Sequence, residues 1–257
     1  MTIKHSFAWW SFATESVSPD ALIRTAADLG YDGIEMAPQE HWQAIKDHGL
    51  TLVNTQGHPL IAEGLNRREH LAMIEKELQA KLELAQSWGL PQLICFSGDR
   101  QGLANDEGLD VTAESLTKLA PLAEDAGVVL TLEVLNSKVD HPDYQADKTA
   151  WAAEVCQRVD SPNVKILYDI YHMQIMEGDV IRTIAEHHDL IAHYHTAGNP
   201  GRHDLDDKQE INYPPIFRAI AETGYSGFIG QEFVPKGDSL KALETALELT
   251  QMSLNAH

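Results

Sequence analysis

Hydrophobic positions along this chain follow two rhythms. Short apolar runs alternate with longer stretches in which apolar residues recur every three or four positions. The first pattern fits strands buried on both faces, and the second fits helices with one buried face. The strand-like runs are Ser6–Trp10, Gly33–Met36, Thr51–Thr55, Gln92–Phe96, Val128–Glu133, Val164–Asp169, Leu190–His195 and Gly227–Phe233. Helical patterns lie between them, at Pro19–Leu29, Pro38–His48, Arg67–Trp88, Val111–Ala126, Ala146–Val159, Asp179–His187, Pro214–Thr223 and Leu240–Leu254. Ser18 is a good N-cap for the first of these, and Gly30, Gly49, Gly89 and Gly127 follow four of them as C-terminal stops.

Strand–helix units repeating about every 32 residues predict a single (β/α)₈ TIM barrel, one α/β domain spanning residues 1–257. A doubly wound open sheet is the alternative, but eight regular units favour closure. No Gly-x-Gly-x-x-Gly follows the first run and no Gly-Lys-Ser/Thr loop occurs, so the dinucleotide and P-loop readings lose their main support.

The chain has 257 residues, 43% of them hydrophobic, enough for one large core. Its formal net charge is −20, from 39 acidic and 19 basic residues. Such a surface repels phosphate backbones and anionic headgroups, so neither nucleic acid nor membrane is expected as a partner. No apolar stretch approaches 18 residues, and Met-Thr-Ile-Lys-His-Ser at the N-terminus has no secretory pattern. The expected compartment is the cytoplasm. Cys95 and Cys156 lie in apolar contexts and are expected as buried free thiols.

In a closed parallel barrel, functional groups gather at the C-terminal ends of the strands. The fifth run ends Leu-Glu-Val-Leu-Asn and puts Glu133 at that rim, with Asn136 beyond it. The sixth ends at Asp169, with His172 three residues on. The seventh puts His193 and His195 on one face by period two, and the eighth ends at Glu232. Four successive runs thus each deliver a metal-capable group, separated by 36, 26 and 37 residues. Three carboxylates and one imidazole make a hard, mostly oxygen site. It suits one divalent ion, Mg²⁺ or Mn²⁺ first, with Zn²⁺ and Co²⁺ also compatible. A lone acidic residue at a strand end is more often a helix N-cap, and it is the joint placement that carries the argument.

Earlier runs offer further rim candidates. Glu35 ends the second, Gln56 and His58 follow the third, Ser97 follows the fourth, and Trp9 and Trp10 end the first. Glu35 and His58 are taken as candidate substrate contacts. After the seventh run, Ala-Gly-Asn-Pro-Gly-Arg-His-Asp forms a shaped loop presenting Arg202 and His203. An Arg there would read a carboxylate or vicinal diol bidentately.

These segments together resemble the xylose-isomerase-like superfamily of sugar isomerases and epimerases, and most of all the hydroxypyruvate isomerase family. The resemblance covers nearly the whole chain. Its strongest pieces are Leu-Glu-Val-Leu-Asn, Tyr-Asp-Ile-Tyr-His-Met-Gln, His-x-His-Thr-Ala-Gly-Asn-Pro-Gly-Arg-His, Glu-Ile-Asn-Tyr and Gly-Gln-Glu-Phe, with Gly-Tyr-Asp-Gly-Ile-Glu in the second unit. The resemblance implies metal ligation by Glu133, Asp169, His195 and Glu232. It implies that Glu133 and Glu232 are also the catalytic acid/base pair, and that His172 and Arg202 contact substrate. Val134 stands where the family often has Pro. Homo-oligomers are common among such proteins.

The expected activity is a metal-dependent aldose–ketose isomerisation of a small hydroxy-carbonyl acid or sugar, by proton transfer through an enediolate. His195 points towards ketose 3-epimerases, whereas the Gly-Asn-Pro-Gly-Arg loop points towards hydroxypyruvate isomerases. A non-catalytic sugar-binding barrel is the alternative of another class, and it would tolerate loss of either glutamate. A metal-dependent nuclease on a related barrel would need a basic groove that this charge balance opposes.

Overall fold

A computed structural model describes residues 2–255. The strands are β1 (Lys4–Ala8), β2 (Gly33–Glu35), β3 (Thr51–Leu52), β4 (Asn54–Gln56), β5 (Gln92–Cys95), β6 (Val129–Val134), β7 (Val164–Asp169), β8 (Ile191–Thr196) and β9 (Phe228–Gln231). The helices are α1 (Trp9–Phe12), α2 (Pro19–Leu29), α3 (Trp42–Asp47), α4 (Leu71–Trp88), α5 (Asn105–Ala126), α6 (Thr149–Val159), α7 (Ile170–Met176), α8 (Val180–His187), α9 (Tyr213–Glu222) and α10 (Ser239–Asn255). Nine parallel strands make a nearly closed barrel with alternating helices, which is the TIM-barrel fold. The contacts group the chain into two compact units, described in turn.

Among the described residues, the first unit takes in residues 2–53, Asp179–His188 and residues 193–255. Its strands run in the order β3-β2-β1-β9-β8. Ser6 is in register with Gly33 on one side and Gly230 on the other, and His195 is also opposite Gly230. Period two buries Phe7, Ile34 and Ile229 among the helices. Helix α2 starts at Ser18, whose Oγ accepts from the Ala21 N–H at 3.2 Å, and stops at Gly30 in the left-handed region (φ 94°). Helix α10 packs on α2 and α9, burying Leu243, Ala246 and Leu247. Tyr31 donates its hydroxyl to the Leu243 carbonyl at 2.9 Å and ties α10 to the end of α2.

The second unit spans Asn54–Gly178 and Asp189–Ala192. Its strands β4, β5, β6 and β7 pair in sequence order, all parallel. Helices α4, α5 and α6 pack in series over them. Leu93, Leu130, Leu132, Ile166 and Leu167 are essentially inaccessible to solvent. Cys95 and Cys156 are free and buried, and burial pushes both thiols up to about 12.

The observed elements depart from the sequence expectation at several boundaries: the first strand is Lys4–Ala8 and not Ser6–Trp10, and three further departures have identifiable causes. The third apolar run is two strands, β3 and β4, because Val53 intervenes: β3 pairs with β2, and β4 pairs with β5. Helix α5 begins at Asn105, six residues before the periodic pattern, with Asp106 and Glu107 favourably placed in its first turn. Gly108 obscures that start. It is glycine because a Cβ there would lie 2.5 Å from Gln145 Oε1. The short helices α1 and α7 also follow their strands without a loop, and no glycine or proline marks either start.

Candidate functional site

In the first unit the site is built on β1, β2, β8 and the end of β9. Glu35 closes β2 and is inaccessible to solvent. Its Oε1 accepts from the Ser6 hydroxyl at 2.6 Å. Its Oε2 lies 2.8 Å from His195 Nε2 and 3.0 Å from His193 Nε2. Burial alone would raise the Glu35 carboxyl; the imidazoles of His193 and His195 outweigh that and hold it well below the usual carboxylate range. The two imidazoles meet edge to face, with centroids 4.9 Å apart.

The other ring nitrogen of His195, Nδ1, lies 3.0 Å from Glu232 Oε2. Glu232 follows directly on β9 and is held on both oxygens. Oε2 accepts from Arg202 Nη2 at 2.6 Å, and Oε1 accepts from the Trp10 indole at 3.1 Å. The Arg202 guanidinium also sits over the Trp10 ring, 5.2 Å from its centroid. Trp10 is 46% exposed, so this edge of the site is open to solvent. Arg202 itself has φ 57°, in the left-handed region that non-glycine residues seldom adopt.

In the second unit, Glu133 lies one residue before the end of β6 and Asp169 ends β7. Asp169 is also the N-cap of α7, its Oδ1 accepting from the His172 N–H at 3.1 Å. Asp169 thus serves as a cap and offers its second oxygen elsewhere. The His172 imidazole is inaccessible to solvent, and its Nδ1 accepts from the Asn136 backbone N–H at 3.2 Å. A backbone N–H can only donate, so a neutral His172 carries its proton on Nε2. That nitrogen faces Asp169 Oδ2 at 3.6 Å. Asn136 donates from Nδ2 to Asp140 Oδ2 at 2.6 Å, and the Tyr171 hydroxyl reaches the same oxygen at 2.9 Å. The Tyr144 hydroxyl donates to the Glu133 carbonyl at 2.9 Å and accepts from the Ser97 N–H at 3.0 Å, which fixes the chain at the end of β6. His58 is inaccessible to solvent; its Nε2 accepts from the Phe96 N–H at 3.0 Å, and its ring stands edge to face on Phe96. Burial lowers its pKa to about 4.

Glu133, Asp169, His195 and Glu232 are all buried and each offers one ligand atom, with the four atoms within 4.8 Å of one another. Three carboxylates this close repel one another when ionised, and a cation among them removes that cost. The donor set therefore fits one hard divalent metal ion. Glu35, His193 and His195 form a second compact group that shares His195. Ser6 and Asp140 escaped the sequence reading. Ser6 stands two residues before Ala8 on the strand that Glu35 faces, which period two would have offered, whereas Asp140 sits in a loop with no periodicity to read.

A parallel barrel with a buried carboxylate–imidazole cluster at its strand ends defines a class of metal-capable TIM-barrel proteins. The chain belongs to the xylose isomerase-like TIM barrel family, whose sequence profile matches residues 23–251. A human protein named "Putative hydroxypyruvate isomerase" is 30% identical over 251 residues, covering 91% of this chain and 90% of that protein. The 2-oxo-tetronate isomerase of Pectobacterium atrosepticum is 28% identical, covering 83% of this chain and 86% of its own length. Among solved structures, an AP endonuclease, family 2, from Brucella melitensis superposes with a TM-score of 0.83 at 26% identity, covering 94% of this chain and 97% of its own. The curated relatives named here are isomerases, and this chain is an enzyme of that kind. Among the described residues no helix is long and apolar enough to cross a membrane.

Proposed function

We propose that this protein is a divalent-metal-dependent isomerase of small hydroxy-carbonyl acids or sugars, of the hydroxypyruvate isomerase kind. It acts as one barrel domain over residues 1–257. Two free buried thiols are in keeping with a cytoplasmic enzyme. The observation that carries the reading is the buried group of Glu133, Asp169, His195 and Glu232. The names of the curated relatives supply the substrate class, since hydroxypyruvate and 2-oxo-tetronate are both short 2-oxo acids.

The four side chains would hold the ion, Mg²⁺ or Mn²⁺ first, with Zn²⁺ and Co²⁺ also compatible. When bound, it supplies Lewis-acid polarisation of the substrate carbonyl and the neighbouring hydroxyl. Glu133 and Glu232 form the acid/base pair: one carboxylate takes the α-proton, and it or its counterpart returns a proton to the enediolate. Asp169 and His195 serve mainly as ligands. Arg202 already grips a carboxylate, Glu232, and is the group to orient the substrate's own carboxylate. His172, with its proton on Nε2, donates to a substrate oxygen.

Return of the proton to the adjacent carbon gives isomerisation, and return to the same carbon from the opposite face gives a ketose 3-epimerase. Both use the same pair of glutamates. The test is proton NMR in deuterated water of protein loaded with Mg²⁺ or Mn²⁺. The panel covers hydroxypyruvate, tetrulosonates and free ketoses. Deuterium entering C3 of a 2-oxo acid together with a new C3 carbonyl, an aldehyde from hydroxypyruvate or a ketone from a tetrulosonate, supports the isomerase. Inversion without a new carbonyl supports the epimerase. No exchange with any member of the panel overturns catalysis and leaves a sugar-binding barrel. Cleavage of abasic DNA by the same preparation would support the nuclease reading, which the net charge of −20 opposes.

A further inference from the structure

Glu35 does not line an open surface. It lies in the interior, and its room comes from one register position. Gly230 of β9 is in register with both Ser6 of β1 and His195 of β8. A Cβ on Gly230 would lie 2.1 Å from Glu35 Oε1 and 3.0 Å from His195 Cδ2. The Glu35 carboxyl therefore occupies the gap that this glycine leaves between the strands. There it receives the Ser6 hydroxyl on one oxygen and faces two imidazole Nε2 atoms with the other.

We infer that Glu35 is a positioning residue for the metal site: it holds the Nε2–H of His195 and so presents the Nδ1 lone pair of that imidazole to the ion. The inference rests on the metal reading proposed above. Its warrant is the split between the two ring nitrogens of His195. Nε2 lies 2.8 Å from Glu35, and Nδ1 faces Glu232, a member of the four-ligand group, at 3.0 Å. An imidazole whose outer nitrogen is bonded to a carboxylate is locked in tautomer and ring orientation and is a more basic ligand. Ser6 and His193 hold the carboxylate from two sides, so Glu35 is itself fixed. Both of its oxygens are already engaged, Oε1 by Ser6 and Oε2 between the two imidazoles, which fits action through His195 and not contact with substrate.

The experiment is titration calorimetry of Mn²⁺ into metal-free wild-type protein and into Glu35→Gln, with thermal unfolding of both. A Glu35→Gln protein that is folded and binds Mn²⁺ about 10–100-fold more weakly supports the inference, because loss of such an outer carboxylate has that effect on affinity. A purely structural role would lower the unfolding temperature and leave the affinity of the folded protein unchanged. Wild-type binding with Glu35→Gln affinity within about twofold overturns the positioning role while the metal reading stands. Wild-type protein that takes up no Mn²⁺ overturns both. Two ions bound per chain would make Glu35 a ligand and overturn the inference. A second measurement needs no variant: two-bond ¹⁵N–¹H correlations of His195 in the Mg²⁺-loaded wild-type protein. Protonated Nε2 with a metal-bound Nδ1 is expected. Protonated Nδ1 overturns the inference.

Discussion

Arg202 and Glu232 meet at 2.6 Å, Nη2 to Oε2, and the Arg202 Nε also points at the Glu232 carbonyl at 3.4 Å. The guanidinium thus holds the end of β9 by side chain and backbone together, while the Trp10 indole holds the other carboxylate oxygen. A planar fork does this and a point charge does not. A substrate carboxylate would compete with Glu232 for the same donors. Arg202→Lys is therefore expected to raise KM for a 2-oxo acid about 10–100-fold, the scale of losing one charge-assisted bond of roughly 1.5–3 kcal/mol. Substrates without a carboxylate should lose much less. Steady-state kinetics on one acidic and one neutral substrate checks this, and equal losses on both would contradict a carboxylate-reading role.

Glu133 is proposed both as ligand and as proton carrier. Glu133→Gln keeps the shape and an oxygen donor but removes the base. Turnover should fall by at least about 10²–10⁴-fold, the usual contribution of a positioned general base. The backbone there is held independently, since Tyr144 bonds the Glu133 carbonyl and not its carboxylate. The circular dichroism spectrum and unfolding temperature should stay close to wild type. A Glu133→Gln protein with near-wild-type turnover in the NMR assay would sink the assignment.

The barrel and its rim were largely legible because both follow from local periodicity. Val164–Asp169 is read with the same limits in sequence and structure, as is Pro19–Leu29 with its Ser18 and Gly30 boundaries. A strand end can be found by counting, and a rim position follows from it. Depth was not legible in the same way. Glu35 ends β2 and His58 lies two residues beyond β4, yet both side chains turn inward to partners 29 and 38 residues away, Ser6 and Phe96. Such partners belong to register and tertiary packing. Asp169 combined the two readings of an acidic strand end, being N-cap and candidate ligand at once.

Gly230 carries a prediction of its own. Its φ is not in the left-handed region, so Ala there meets no backbone penalty; the cost is steric. The new methyl would overlap Glu35 Oε1, which has no solvent side to retreat to. Gly230→Ala should cost about 1–3 kcal/mol of stability, as overpacking does in a tight interior. It should also weaken Mn²⁺ binding, because His195 Cδ2 is the next atom displaced. Denaturant unfolding and calorimetry together test this. Unchanged stability would mean that the strands part easily at this point.

The pH dependence of stability should carry a signature of His58. Burial lowers its pKa from 6.5 to about 4 in the folded protein. Its Nε2 already accepts from Phe96, so protonation would break that bond in an interior site. Between those two pH values the unfolded chain binds this proton and the folded chain does not. Stability is therefore greatest above pH 6.5 and falls as the pH drops towards 4, where the loss levels off. The full span is worth about 3 kcal/mol, at 1.36 kcal/mol per pH unit. His58→Gln keeps an acceptor for the Phe96 N–H and removes the titration. Urea unfolding of both proteins from pH 7 to pH 4 should show the wild type losing more stability than the variant, by up to that amount. Parallel curves would mean that His58 is protonated in the fold at no cost, and that its site is wetter than its burial implies.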